Sequence, residues 1–180
     1  MQDLQGLLHF KHYPNLEGRL KKMKKLFLYT GPIKSGKSTR LLSFVQNRKE
    51  MGGILSLVFE GKKYLYDIQT GEKRLLEADS DDSEMEIIKV GKYRFKKKVF
   101  SWGKDLLKKT CNQNISILMI DEVGPLEFAG EGLSPIVDEI IKNFPLYSFQ
   151  IVVVVRESLI NKFLDHYRIN LSDINYFSFN

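Results

Sequence analysis

Residues 26–45 read LFLYTGPIKSGKSTRLLSFV, so a short apolar run passes through a glycine-containing loop into a second apolar segment. The first run predicts a strand over residues 25–30. The spacing of the second predicts a helix over residues 37–51 that ends at Gly52 and Gly53. Between them, residues 31–38 match the P-loop pattern G-x-x-x-x-G-K-[ST]. A strand before this pattern and a helix after it form the context in which it binds phosphate.

The residue types of this loop suit a phosphate ligand. Backbone N–H groups at a helix N-terminus bind anions, and the helix dipole adds to the attraction. Glycine lets the backbone approach the phosphates closely. We expect Lys37 to bind the β- and γ-phosphates, Ser38 to supply a hydroxyl ligand for Mg²⁺, and Thr39 to reach the α-phosphate.

An acidic pair, Asp121 and Glu122, directly follows the apolar run ISILMI at residues 115–120. Such a run predicts a strand buried on both faces, and the carboxyl ends of such strands border the ligand crevice of open α/β sheets. We predict that Asp121 binds Mg²⁺ through water and that Glu122 polarises the attacking water. A glutamate at this position favours hydrolysis with a carboxylate base.

A second apolar run, IVVVV at residues 151–155, ends at Arg156. We expect this arginine to reach the same edge of the sheet, where a cation could stabilise transition-state charge on the γ-phosphate. The alternative is a surface arginine paired with Glu157 or another neighbour.

The rest of the chain alternates apolar strands with amphipathic helices. This alternation predicts an α/β fold with a mostly parallel central sheet and helices on both faces. Residues 60–76 turn at Gly61 and Gly71 and predict a small antiparallel hairpin, and residues 77–86 predict an exposed acidic loop.

Composition narrows the protein class. The 180 residues suffice for one domain, and the single cysteine excludes an internal disulfide and fits a reducing compartment. No apolar stretch is long enough to cross a bilayer, so we expect a cytoplasmic protein with no membrane partner. The net charge of +6 includes the basic runs RLKKMKK at residues 19–25 and RFKKK at residues 94–98. These runs fit either a solvated surface or a nucleic-acid partner.

Four segments together carry a family resemblance: TGPIKSGKST at residues 30–39, GKY at 91–93, IDEVGPLEFAGEGL at 120–133 and VVVVRESL at 152–159. The sequence resembles the small P-loop nucleoside-triphosphatase family of the cancer-related nucleoside-triphosphatase type. The similarity spans residues 25–180 and leaves residues 1–24 as a basic extension outside the domain.

The resemblance implies a three-layer P-loop NTPase fold. It also implies Mg²⁺-dependent hydrolysis of nucleoside 5′-triphosphates to diphosphate and phosphate, with loose base selectivity. Asp121 and Glu122 form the implied metal and catalytic pair, and Gly124 and Glu127 are implied to line the site. The implied phosphate-binding residues are Gly31, Pro32, Ile33, Lys34, Ser35, Gly36, Lys37, Ser38 and Thr39.

Two other functions remain open at this point. Small-molecule and nucleoside kinases share the P-loop and this chain length, although no arginine-rich lid segment follows here. A nucleotide-dependent RNA- or DNA-binding adaptor would use the basic runs. The sequence leaves the oligomeric state open.

Overall fold

The structure is a computed structural model that describes residues 25–32 and 35–179. Predictions that concern residues 1–24, 33, 34 and 180 lie outside the described residues. The strands are β1 (Leu26–Tyr29), β2 (Met51–Phe59), β3 (Lys62–Asp67), β4 (Lys73–Leu75), β5 (Ile87–Val90), β6 (Tyr93–Lys96), β7 (Ile117–Ile120), β8 (Gln150–Val154) and β9 (Ile174–Tyr176). The α-helices are α1 (Lys37–Val45), α2 (Lys97–Cys111), α3 (Pro125–Phe128), α4 (Ile136–Lys142) and α5 (Ile160–Tyr167).

A seven-stranded sheet forms the centre of the molecule, in the order β4-β3-β2-β7-β8-β1-β9. Five strands run parallel to one another: β2, β7, β8, β1 and β9. Strands β3 and β4 add an antiparallel edge next to β2. Strands β5 and β6 form a separate two-stranded antiparallel ribbon. The prediction of a mostly parallel sheet with a small antiparallel hairpin is confirmed.

Helices cover both faces of this sheet because its central strands are apolar on both sides. Helix α1 packs through Leu41 and Val45 on one face, where it meets Met119 and Val152 of the central strands. Helices α2, α4 and α5 cover the other face. Their buried core side chains are Val99, Phe100, Leu106, Leu107, Val137, Ile140, Ile141, Phe163, Leu164 and Tyr167. The three-layer architecture is therefore confirmed.

The glycine pair Gly52-Gly53 does not end a helix, so that prediction is wrong. Helix α1 already ends at Val45, and both glycines lie buried inside β2. A Cβ atom on Gly53 would come within 2.0 Å of the Met119 carbonyl oxygen of β7, and Gly53 has a φ of +114°. Close approach of two central strands, rather than helix termination, accounts for this glycine.

Gly53→Ala is expected to lower the free energy of unfolding by about 3 kcal/mol or more, because backbone strain and overpacking act together. Urea unfolding measures the change. Gly61→Ala is the matched control: Gly61 also has a positive φ, +77°, but open space surrounds its Cβ position. Equal losses in the two variants would contradict the close-approach explanation.

Two short elements are absent from the sequence prediction. Strand β5 precedes the turn at Gly91 and pairs with β6, which follows the turn and ends at Lys96. Helix α3 follows the acidic pair directly and has only four residues.

Other chemical groups in the described part of the chain are unremarkable for function. Cys111, the last residue of α2, is a free thiol, and burial raises its pKa to about 11. The thiol is therefore protonated at neutral pH. No cluster of metal-binding side chains occurs among residues 25–32 and 35–179, and none of their helices has the length and apolar character to span a membrane.

Candidate functional site

The P-loop connects β1 to α1 at the carboxyl edge of the sheet. Gly36 adopts a left-handed conformation with φ of 76° immediately before the helix, which glycine allows without strain. The Lys37 ammonium folds back over the loop and donates hydrogen bonds to the carbonyl oxygens of Gly31 (2.9 Å) and Pro32 (2.6 Å). Ser38 and Thr39 follow in the first turn of α1. The predicted contacts of Ile33 and Lys34 lie outside the described residues.

Asp121 is a buried carboxylate directly after β7, with 2% of the residue exposed. Its Oδ2 accepts a hydrogen bond from the backbone N–H of Ser56 at 3.0 Å. Its Oδ1 is buried and has no hydrogen-bond partner within the described part of the chain. Burial, with a further contribution from the charge of Glu122, raises the pKa of Asp121 to about 6, and the Ser38 hydroxyl opposes this rise. Asp121 and Ser38 therefore lie close together, although Asp121 follows β7 and Ser38 lies in the first turn of α1.

Glu122 has a left-handed backbone conformation. Its φ is +60°, which is uncommon for a residue with a side chain. Its Oε2 forms an ion pair with the ammonium of Lys63 on β3, and 37% of the Glu122 side chain is exposed. The carboxylate thus lies at the surface of the crevice, where a water molecule can reach it.

Strand β8 lies between the P-loop strand and the strand of the acidic pair. Adjacent strands lie about 4.8 Å apart, so β1 and β7 are separated by about 10 Å. Arg156 follows β8, at the edge where the sequence analysis expects it, and the strand order puts it between the P-loop and the acidic pair. It is exposed, and its guanidinium forms no ion pair with Glu157 or any other described residue. The edge therefore presents the P-loop, a cation and two carboxylates in that order.

Glu127 in α3 holds the segment that follows the acidic pair. Its Oε2 accepts the N–H of Gly124 at 2.9 Å, and its Oε1 accepts the N–H of Leu133 at 3.1 Å. The residue is 3% exposed, and burial raises the pKa of its carboxyl group. Gly124 and Glu127 thus shape the loop beside the site. This arrangement favours a supporting role for Glu127 over direct contact with a nucleotide.

Two residues that the sequence analysis does not single out belong to the site. Ser56 fixes Asp121 through its backbone N–H, and its own Oγ is also buried without a partner among the described residues. Lys63 engages Glu122. No motif marks either residue, because their positions depend on the pairing of β2 with β7 and with β3.

The donor set fits Mg²⁺. This ion prefers oxygen ligands, uses few protein carboxylates and keeps several water molecules. The Ser38 hydroxyl and the buried, unpartnered Oδ1 of Asp121 are suitable oxygen atoms. An unpartnered buried carboxylate oxygen is costly, so a cation or its hydration water would stabilise it.

Two of the four cations in the basic run at residues 94–98 pair with the acidic loop. Arg94 pairs with Glu84, and Lys96 pairs with both Asp79 and Asp82. These contacts favour a paired surface over a free basic patch for nucleic acid. The run at residues 19–25 lies outside the described residues except for Lys25.

Known proteins are similar to this chain in sequence and in fold. A family model described as NTPase matches residues 26–179. The chain is 30% identical over 146 residues to nucleoside-triphosphatase THEP1 of Methanocaldococcus jannaschii, covering 76% of this chain and 81% of that protein.

Two solved structures share the fold. The crystal structure of THEP1 from the hyperthermophile Aquifex aeolicus has a TM-score of 0.61 at 16% identity, covering 85% of this chain and 88% of that one. The solution structure of a human cancer-related nucleoside triphosphatase has a TM-score of 0.58 at 18% identity, covering 87% and 89%. The architecture of the sheet is thus that of these proteins.

Proposed function

The chain belongs to the NTPase family and is a nucleoside-triphosphate hydrolase, and we propose that its reaction requires Mg²⁺ and accepts several bases. The products would be a nucleoside diphosphate and phosphate. One observation carries the proposal: the P-loop hydroxyl of Ser38 lies beside the buried carboxylate of Asp121, which has an unpartnered oxygen. These two groups are what a magnesium–triphosphate complex requires of a P-loop protein.

The P-loop binds and orients the triphosphate in this proposal. Its backbone N–H groups and the N-terminus of α1 surround the phosphate oxygens. Lys37 exchanges the carbonyl oxygens of Gly31 and Pro32 for the β- and γ-phosphates. Ser38 and Asp121 would hold the Mg²⁺, which neutralises charge on the phosphates when bound.

Glu122 acts on the water. Its carboxylate accepts a proton from a water molecule whose oxygen forms the new bond to the γ-phosphorus. The bond between the γ-phosphorus and the bridging oxygen breaks, and the diphosphate leaves with that electron pair. Residues 25–32 and 35–179 contain no base-reading motif, so we assign loose base selectivity to binding through the phosphates.

Arg156 is the candidate for stabilising negative charge at the γ-phosphate. It is exposed at the middle strand of the edge, and its guanidinium is not occupied by an ion pair among the described residues. A cation delivered to the γ-phosphate stabilises the transition state. An Arg156→Ala protein with the kcat of the wild type would refute this role.

Phosphate release from ATP, GTP, CTP and UTP tests the proposed function. We expect hydrolysis of all four in Mg²⁺ with kcat/KM values within about tenfold of one another, because hydrophobic or stacking contacts to a base discriminate weakly. Excess EDTA should abolish the release. Release that persists in EDTA would contradict Mg²⁺ dependence, and transfer that requires an added nucleoside acceptor would identify a kinase instead.

A cytoplasmic location and the absence of a nucleic-acid partner complete the proposal. The free thiol of Cys111 suits a reducing compartment, and ion pairs occupy Arg94 and Lys96 of one basic run. Cell fractionation tests the location. A gel-shift series with RNA and DNA across salt concentrations tests the partner, and binding at low salt would contradict its absence.

A further inference from the structure

Lys63 of strand β3 forms a side-chain contact with Glu122 of the acidic pair. Its ammonium forms an ion pair with Oε2 of Glu122, and no other cation pairs with Glu122 in the described part of the chain. The Lys63 charge also lowers the pKa of Asp121, so the ammonium lies near both carboxylates. Glu122 is 59 positions away in sequence, and the pairing of β2 with both β3 and β7 brings the two residues together.

The strand position of Lys63 and a neighbouring aromatic ring fix its side chain. Side chains alternate along a strand, so Lys63 shares its face with Leu65, whereas Lys62 points the other way. Leu65 is buried in the core beneath α2. The Lys63 ammonium lies 5.7 Å from the ring centroid of Phe95, a buried residue of β6. These contacts hold the Lys63 side chain in place independently of Glu122.

This ion pair involves an enclosed lysine. The Lys63 side chain is 18% exposed, similar to the 14% of Lys96 in its pairs with Asp79 and Asp82, whereas Lys89 in its pair with Glu84 is 60% exposed. Fully exposed pairs contribute little to stability and cost side-chain entropy. An enclosed lysine on a rigid strand loses less freedom and constrains its partner more. Its contact therefore determines where the Glu122 carboxylate lies.

A catalytic base needs a group that orients it. In nucleophilic and general-base sites the base is commonly fixed by a third group. Glu122 lies in the loop between β7 and α3 with a left-handed backbone, and Lys63 is the one cation among the described residues that pairs with its carboxylate. Lys63 contacts Oε2 and leaves Oε1 available to accept a proton from water.

We propose that Lys63 is a positioning residue that holds the Glu122 carboxylate in its orientation toward the attacking water. The inference rests on the role of Glu122 in the proposed function. It assigns strand β3 a role in catalysis that no sequence motif of this chain indicates. Lys63 itself does not touch the substrate in this scheme.

Lys63→Met tests the inference because methionine keeps the length of the stem and removes the charge. We expect kcat for ATP hydrolysis to fall about tenfold to hundredfold, since small misplacements of a catalytic group cost up to about a hundredfold. KM should stay within about twofold, because the P-loop contacts are unchanged. Lys63→Arg should restore most of the kcat, and Lys62→Met is the matched control with wild-type kinetics.

A second measurement separates positioning from stability. In the Glu122→Gln background, Lys63→Met should cause no further loss of kcat, because the group that it positions is already absent. An equal loss in both backgrounds would overturn the inference, as would wild-type kcat in Lys63→Met. A wild-type protein without any triphosphatase activity would refute the proposed function as well, so the two failures are distinguishable.

Discussion

Glu122→Gln is expected to lower kcat for ATP hydrolysis by about 10²–10⁴-fold, because general-base catalysis contributes about that factor. Glutamine has the size of glutamate but cannot accept the proton from water at neutral pH. Because Glu122 is partly exposed and its backbone conformation does not depend on its charge, we expect the fold to be unaffected. Steady-state phosphate release measures the effect.

Nucleotide binding distinguishes loss of chemistry from loss of the site. Calorimetric titration of Glu122→Gln with Mg·ATP should give a Kd within about threefold of the wild type, since the phosphate contacts come from the P-loop. Glu50→Gln is the control, because Glu50 is exposed and precedes β2 at the opposite edge of the sheet. Full activity in Glu122→Gln would remove Glu122 from the mechanism and the role of Lys63 with it.

Lys37→Ala is expected to reduce kcat/KM at least about a hundredfold. Hydrogen bonds to charged groups contribute about 1.5–3 kcal/mol each, and Lys37 is assigned to both the β- and the γ-phosphate. Unlike Glu122→Gln, this variant should also lose affinity for Mg·ATP. Calorimetry and phosphate release on the same preparation measure both effects.

Stability must be checked in this variant because Lys37 also contacts its own loop. Its ammonium donates to the carbonyl oxygens of Gly31 and Pro32, and alanine removes both hydrogen bonds. These bonds are largely exposed, so we expect a change in the free energy of unfolding below about 1 kcal/mol. Lys49→Ala, at an exposed position after α1, is the control. Unchanged nucleotide affinity in folded Lys37→Ala would contradict the phosphate-binding role.

The central strands and the site motifs could be predicted from the sequence because their signals are local. The P-loop pattern specifies a strand, a loop and a helix within residues 26–45. The runs that precede Asp121 and Arg156 are apolar except for Ser116, which indicates strands buried on both faces. Parallel pairing then brings their carboxyl ends to one edge.

The errors arise where tertiary contacts override local signals. Gly52-Gly53 has the composition of a helix terminator, but the close approach of β7 decides its conformation. Strand β5 could have been found, because Gly91 and Lys92 form a two-residue turn between Val90 and Tyr93. The contact between Lys63 and Glu122 could not have been predicted, since an alternating strand contains no information about which distant carboxylate lies beside it.

The structure of Glu122→Gln with Mg·ATP tests the central claim most directly. The account predicts that the backbone N–H groups of the P-loop surround the β- and γ-phosphates. It also predicts that the metal lies about 2.1 Å from the Ser38 hydroxyl, with Asp121 reached directly or through one water. A nucleotide bound away from the P-loop, or the carboxyl groups of Asp121 and residue 122 turned away from the γ-phosphate, would contradict it.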